Sequence, residues 1–228
     1  MKDVANLEST QFYLFAPGRV PLRSVSTRQG IERIQECFSF REVALGSNSE
    51  LLFEGGLAEH QNVHFERLQI SDRRIVVTVG GDSAAADGTF KALRELIVKD
   101  ELQGRFATAE PVCFRQETNC SVVLDIEWKL FFNPALCEYL TGPFLGLASD
   151  KEADVRLAGA NLRFAFSYVV KDERVSQHGI ALSPKRFIVE PLANTPLSEN
   201  RYFTSSPTDS ETHLRIVGDV ERLLSRAG

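Results

Sequence analysis

Between Val122 and Phe132 the chain alternates without a fault: Val122, Leu124, Ile126, Trp128, Leu130 and Phe132 share one face, and Asp125, Glu127 and Lys129 share the other. A period of two puts successive side chains on opposite sides of a sheet, so this stretch specifies a strand with one face buried and one wet. Such a strand needs neighbours for its backbone and a cover for its apolar face.

The neighbours are legible. Leu162, Phe164, Phe166, Tyr168 and Val170 alternate in the same way, closed by the charged turn Lys171-Asp172-Glu173-Arg174. Further strands are expected at Phe12–Ala16, stopped by Pro17-Gly18, at Leu51–Phe53, stopped by Gly55-Gly56, and at Val63–Ile70 and Ile75–Val79 around the turn Ser71-Asp72-Arg73. Two more are expected at Val175–Leu182 and Phe187–Glu190.

The cover is helical. Ser26 and Gln29 fit a capping box, and Ile31, Ile34 and Phe38 line one face, with Cys37 placed among them. After Gly80-Gly81, the residues Phe90, Leu93, Leu96 and Ile97 share a side. Asn133-Pro134 opens a short helix that ends near Gly142-Pro143. Ser206-Pro207-Thr208-Asp209 reads as the start of a last helix, with Ile216, Val217, Val220, Leu223 and Leu224 as its stripe. The fold class is α+β.

The two halves resemble each other. Ile70-Ser71-Asp72-Arg73-Arg74-Ile75-Val76-Val77 aligns with Leu182-Ser183-Pro184-Lys185-Arg186-Phe187-Ile188-Val189 at a shift of 112 (182 − 70), and Phe12 then falls on Leu124. The helices match at a larger shift, Leu93 on Val220, which leaves Asn194–Ser206 as an inserted loop. Each half then reads strand, helix, three antiparallel strands, helix, with 1–110 as one half and 111–228 as the other in one compact unit. The halves would form antiparallel sheets packed face to face or joined edge to edge, with helices upon them.

Composition narrows the setting. Hydrophobic residues make up 43% and charged residues 25%, ordinary for a chain with a real core. No apolar run reaches membrane-spanning length, and the polar start Met1-Lys2-Asp3 has no signal core behind it, so a cytoplasmic protein without membrane contact is expected. Cys37, Cys113, Cys120 and Cys137 follow no zinc or redox spacing and are expected as free thiols, although Cys113 and Cys120 could pair across a turn. A net charge of −5 works against broad contact with phosphate backbones.

No catalytic set is legible, and no cofactor is expected. His60 and His64 stand four apart and could share a face toward one metal, with His178 as a third ligand, but solvated histidines explain the pair more simply. His213 lies one turn before Ile216 and Val217 and is expected as a structural, partly buried histidine. Gly80-Gly81-Asp82-Ser83 lies between strand and helix, where amides can hold phosphate, yet no lysine follows and Asp82 would repel an anion. A turn capped by Asp82 or Ser83 fits better. Arg73, Arg74, Lys185 and Arg186 could form a paired anion-binding surface. Arg201, Tyr202 and Phe203 on the long loop could meet a partner protein.

The expected function is therefore a non-catalytic binding or assembly module: an adaptor, a chaperone-like protein or a complex subunit. It would act through sheet edges and the 194–206 loop on a protein partner or a second copy. A small-molecule-binding protein or enzyme with a pocket between two sheets is the alternative. A duplicated nucleic-acid-binding protein ranks third, against the charge.

Overall fold

The computed structural model describes residues 1–46, 50–58, 63–99, 104–126, 162–166 and 185–227. Its elements are β1 (Lys2–Leu14), α1 (Leu22–Val25), α2 (Arg28–Phe38), β2 (Glu42–Leu45), β3 (Leu51–Ala58), β4 (Val63–Ile70), β5 (Arg74–Gly80), α3 (Ser83–Val98), α4 (Gly104–Ala107), β6 (Cys113–Val123), β7 (Leu162–Phe166), β8 (Lys185–Pro191), β9 (Arg201–Ser206) and α5 (Ser210–Ala227). The nine strands make one sheet in the order β2-β3-β4-β5-β1-β6-β9-β8-β7, and every adjacent pair is antiparallel. The α+β class therefore holds, and the sheet is continuous through the β1–β6 pairing. The described strands form one sheet, so no space between two sheets exists among the described residues.

Alternation decides which face the helices cover. On β1 the odd residues Ser9, Gln11 and Tyr13 are buried, and on β5 Ile75, Val77 and Val79 are. α3 packs on that face with Ala86, Thr89, Phe90, Leu93 and Ile97, the repeat of an amphipathic helix. Tyr13 stacks on Phe90 with ring centroids 3.6 Å apart. α2 adds Ile34 and Phe38, and Phe38, Phe40 and Phe65 pack ring against ring at 5.1 to 6.0 Å. Arg94 ties the connection after α3 back to that helix by donating to the carbonyls of Ala107 and Ala109, each at 2.8 Å.

The β1–β5 and β6–β9 pairings are tied to the helices that follow them by the same set of hydrogen bonds. Ser9 pairs with Val79 and Gln11 with Val77 across β1–β5, while Thr118 pairs with Ser206 and Cys120 with Thr204 across β6–β9. The Phe15 amide donates to Arg73 O at 2.7 Å, and the Leu124 amide to Asn200 O at 3.1 Å. Ser9 Oγ donates to Gly81 O, and Thr118 Oγ1 to Thr208 O, both at 2.9 Å. Asp82 Oδ1 accepts from the Ala85 amide and Asp209 Oδ1 from the Thr212 amide, each at 2.8 Å. The two helix starts touch, for the Ser83 amide donates to Ser210 Oγ at 2.9 Å across 127 residues of chain.

Several expectations are corrected. The shift of 112 lays β5 on β8, yet β5 lies beside β1, whereas β8 lies between β9 and β7. Gly55-Gly56 does not break a strand: β3 runs through both, because a Cβ at Gly56 would sit 2.6 Å from the Phe40 ring. α2 is capped by Thr27, not Ser26, since Thr27 Oγ1 accepts from the Gly30 amide at 3.1 Å. The last helix is capped by Asp209, and Ser206 closes β9. Cys37 is exposed, because the buried stripe of α2 is Gly30, Ile34 and Phe38. Cys113 and Cys120 cannot pair: they stand seven residues apart on one strand, about 23 Å at strand rise. The alternating strand expected to Phe132 leaves the sheet after Val123. Leu124 and Ile126 continue beyond it as buried residues, while the pattern from Trp128 to Phe132, the helix from Asn133, Cys137 and the strand at Val175–Leu182 lie outside the described residues, as does Tyr168–Val170 of the second alternation, whose beginning forms β7.

Candidate functional site

The face of the sheet opposite α2 and α3 has no described element upon it. Over the first half it forms a groove of about 760 Å³ lined by Glu8, Thr10 and Phe12 of β1, Val76 and Thr78 of β5, Glu66, Arg67 and Gln69 of β4, Glu54 and Gly55 of β3, and Arg41 and Glu42 at β2. The even residues of β1 and β5 arrive there by alternation. A bulge between Phe65 and Arg67 breaks the alternation on β4, so Glu66 and Arg67 both turn to the open face while Phe65 and Leu68 stay buried.

Four carboxylates and two guanidinium groups line the groove. Arg67 is bound to Glu54, with Nη2 3.0 Å from Oε1. That pairing leaves Glu8, Glu42 and Glu66 against Arg41, an acidic surplus. Glu8 is held from the side by Asn119 Nδ2 at 3.1 Å. The floor between the charges is Phe12, Val76 and the pair Thr10 and Thr78, whose hydroxyls are 3.1 Å apart. Gly80 lies opposite both Glu8 and His64 in the sheet registers. A Cβ there would be 3.8 Å from a Glu66 carboxylate oxygen and 3.6 Å from His64 Cβ. At one border Lys185 Nζ stands 4.7 Å over the Phe12 ring and donates to Glu117 at 2.8 Å.

The other cluster with chemical potential lies on the covered face. His213 is fully buried. Its Nδ1 is 2.7 Å from Ser206 Oγ, and its Nε2 is 3.0 Å from Thr204 Oγ1 and 3.3 Å from Cys120 Sγ. The Thr204 hydroxyl reaches Cys120 O at 3.2 Å as well as the imidazole; where it gives its single proton to Cys120 O, it accepts from His213 Nε2–H. In that tautomer Nδ1 accepts from Ser206, whose oxygen also meets Thr208 Oγ1 at 2.7 Å. Burial pushes the imidazole down to about 4, so the ring is neutral near pH 7. Burial raises the Cys120 thiol as well, which removes thiolate character. A neutral imidazole and an un-ionised thiol, both sealed from solvent, form a structural network rather than a nucleophile and base.

The residues singled out from sequence fall in different places. His64 is exposed on β4, while His60 and His178 lie outside the described residues. No cluster of three metal-ligating side chains occurs among the described residues. Arg74 is engaged by Glu50 at 2.9 Å and Lys185 by Glu117, while Arg73 is half-buried and Arg186 exposed at the start of β8. Arg201, Tyr202 and Phe203 are not on a loop but on β9, an interior strand between β6 and β8. Tyr202 is 2% exposed and donates to Ile126 O at 3.2 Å, so it has no surface to offer a partner. The phosphate reading of Gly80–Ser83 also lapses, because the Gly81 amide is bound by Leu7 O, the Ser83 amide by Ser210 and the Ala85 amide by Asp82.

The sequence reading missed the groove. Its signal was faint: Glu8, Thr10 and Phe12 alternate with Ser9, Gln11 and Tyr13, but polar residues on both sides hide the period. Among the described residues, no helix is long and apolar enough to cross a membrane. No known protein family matches the chain, and no curated protein resembles it significantly in sequence.

Proposed function

We propose that this protein is a non-catalytic binding module that docks a protein partner on the face of its sheet opposite α2 and α3. The observation that carries the reading is the groove over β2–β5 and β1, open and charged, while the residues best equipped for catalysis are buried and un-ionised on the other face. A groove that exposes paired strands, hydroxyls and fixed charges suits an extended polypeptide. A nucleic-acid ligand is disfavoured by the acidic surplus and by the net charge of −5.

The scaffold is read as a duplicated unit spanning 1–110 and 111–228, a strand, a helix, antiparallel strands and a last helix, with the short edge strand β2 added in the first half to the three strands expected there. Its support is the register. First strands match at a shift of 109 (Ser9 to Thr118, 118 − 9), and last strands and helices match at 127 (Ser83 to Ser210). The pairings Gln11–Val77 and Cys120–Thr204, and the amide bonds of Phe15 and Leu124, all obey these two shifts. Ser9 lies opposite Thr118, and Ser83 touches Ser210, as residues on a local two-fold axis must.

The test places a photo-crosslinking residue at Thr78, in the groove, or at Lys91, on the exposed side of α3. After irradiation in cells of the source organism, intact-mass measurement is expected to show one stoichiometric protein adduct from Thr78 and none from Lys91. Equal adducts from both positions, or excess mass of metabolite size in the groove, would overturn the reading.

A further inference from the structure

We infer that the groove selects a cationic partner, an extended lysine- or arginine-bearing segment with one cation seated over Gly80 between Glu8 and Glu66. The inference rests on the proposed docking face and names the chemistry of its occupant. Gly80 is the one position in its row without a side chain: Glu8 flanks it on β1, and His64 with Glu66 flanks it on β4. Neighbouring strands lie about 4.8 Å apart, so the gap spans about two strand spacings, room for an ammonium or guanidinium head. Glu8 is already fixed by Asn119, which lowers the ordering cost of a second contact. The Thr10 and Thr78 hydroxyls lie next along the same strands, then Phe12 and Val76, so a side chain stem running from the seat crosses a progressively less polar floor.

The molecule contains its own example of this recognition. Lys185 sets its ammonium over the face of Phe12 and against Glu117 at the border of the same surface. Across the groove, after Arg67 and Glu54 neutralise each other, three carboxylates face one guanidinium. That balance favours a partner that supplies positive charge and disfavours one that supplies negative charge.

The test titrates the full isotope-labelled chain with three probes: a decapeptide of alternating Lys and Thr, its Glu-Thr counterpart, and spermine. The Lys-Thr peptide is expected to shift the amides of Glu8, Thr10, Glu66, Thr78 and Gly80, and its binding should weaken at least tenfold in the Glu8→Gln/Glu66→Gln variant. Gly80→Leu should weaken it similarly while leaving the charges in place; its Cβ meets nothing closer than 3.6 Å, and unchanged amide shifts outside the groove check that the fold is kept. Groove shifts from the Glu-Thr peptide alone would overturn the cationic partner and leave the docking face standing. Spermine binding as tightly as the peptide would overturn the polypeptide occupant. No groove shift from any probe would overturn both readings.

Discussion

Beneath α3 the covered face of the sheet holds Gln11, Val77 and Val79, buried like Ala86 of the helix. Beneath α5 the places given by the same hydrogen-bond register hold Cys120, Thr204, Ser206 and His213. One backbone arrangement thus supports two kinds of interior. The first is close-packed and aromatic, and its strength lies in burial. The second is threaded by a chain of hydroxyls through one imidazole, and its strength lies in complete satisfaction of polar groups. Area drives the first and geometry the second, so the two should fail in different ways.

The largest expected effect is in the aromatic interior. Phe65 is 1% exposed and touches Phe38 and Phe40 at 5.1 Å each, so Phe65→Ala should cost about 3–5 kcal/mol, near the upper end. Phe187 in the second half has a single described ring neighbour, Phe164 at 6.5 Å, which is itself half exposed. Phe187→Ala should fall toward the lower end of the same range. Urea melts of the two variants decide the matter, and an equal or larger loss at Phe187 would break the contrast.

The second effect is specific to the imidazole. His213 has its proton affinity lowered from 6.5 to about 4, so the folded state resists a proton that the unfolded state accepts. Above about pH 6.5 both states are neutral and the full stability is present. As pH falls through 6.5 the unfolded chain binds the proton, and stability declines until the folded pKa near 4 is reached. The shift corresponds to about 3 kcal/mol over that window. Denaturation at stepped pH should show the decline in the native chain and lose most of it in His213→Gln. A slope unchanged by that substitution would mean that other groups carry the acid sensitivity.

A smaller effect tests whether the network acts as a unit. Thr204→Val keeps the shape but leaves His213 Nε2 without its oxygen partner and should cost about 1–3 kcal/mol. Val77→Thr, the reciprocal change in the first half, places a hydroxyl where no imidazole waits. A similar loss there would show that each interior rejects the other's chemistry, whereas a neutral result would weaken the distinction between them.

How much of this was legible follows from what each element buries. β4 was bounded to the residue because Val63, Phe65, Leu68 and Ile70 are buried, and α3 was placed because Phe90, Leu93 and Ile97 recur on one side. β1 was seen only at its apolar end, since Ser9 and Gln11 are buried polar residues that disguise the period. β2 was missed because a four-residue edge strand, largely exposed, has no apolar rhythm to detect. Tyr202 was misassigned for a related reason. A strand carrying Thr204, Ser205 and Ser206 in its interior looks like a loop until His213 is known to sit against it. The groove was hidden because it depends on a bulge in β4 and on glycine at position 80, and neither has a hydrophobic signature.

The finest test concerns the place where the two interiors meet. Asp82 and Asp209 cap α3 and α5 with the same geometry, and removing either carboxylate by Asp→Ala should cost about 1 kcal/mol. For Asp209 the Thr212 amide holds the carboxyl below its usual range, so this contribution is present above the unfolded pKa near 3.8 and disappears as pH falls through the lower folded value. The two caps are not independent, because Ser83 and Ser210 join the helix starts through shared hydroxyl and amide bonds. Loosening one start should loosen the other, so the double variant should depart from the sum of the singles by about 0.5 kcal/mol or more. Strict additivity would separate the two helix starts energetically and leave the coupling to the β1–β6 pairing and the side chains that cross it, among them Asn119 on Glu8 and Lys185 over Phe12.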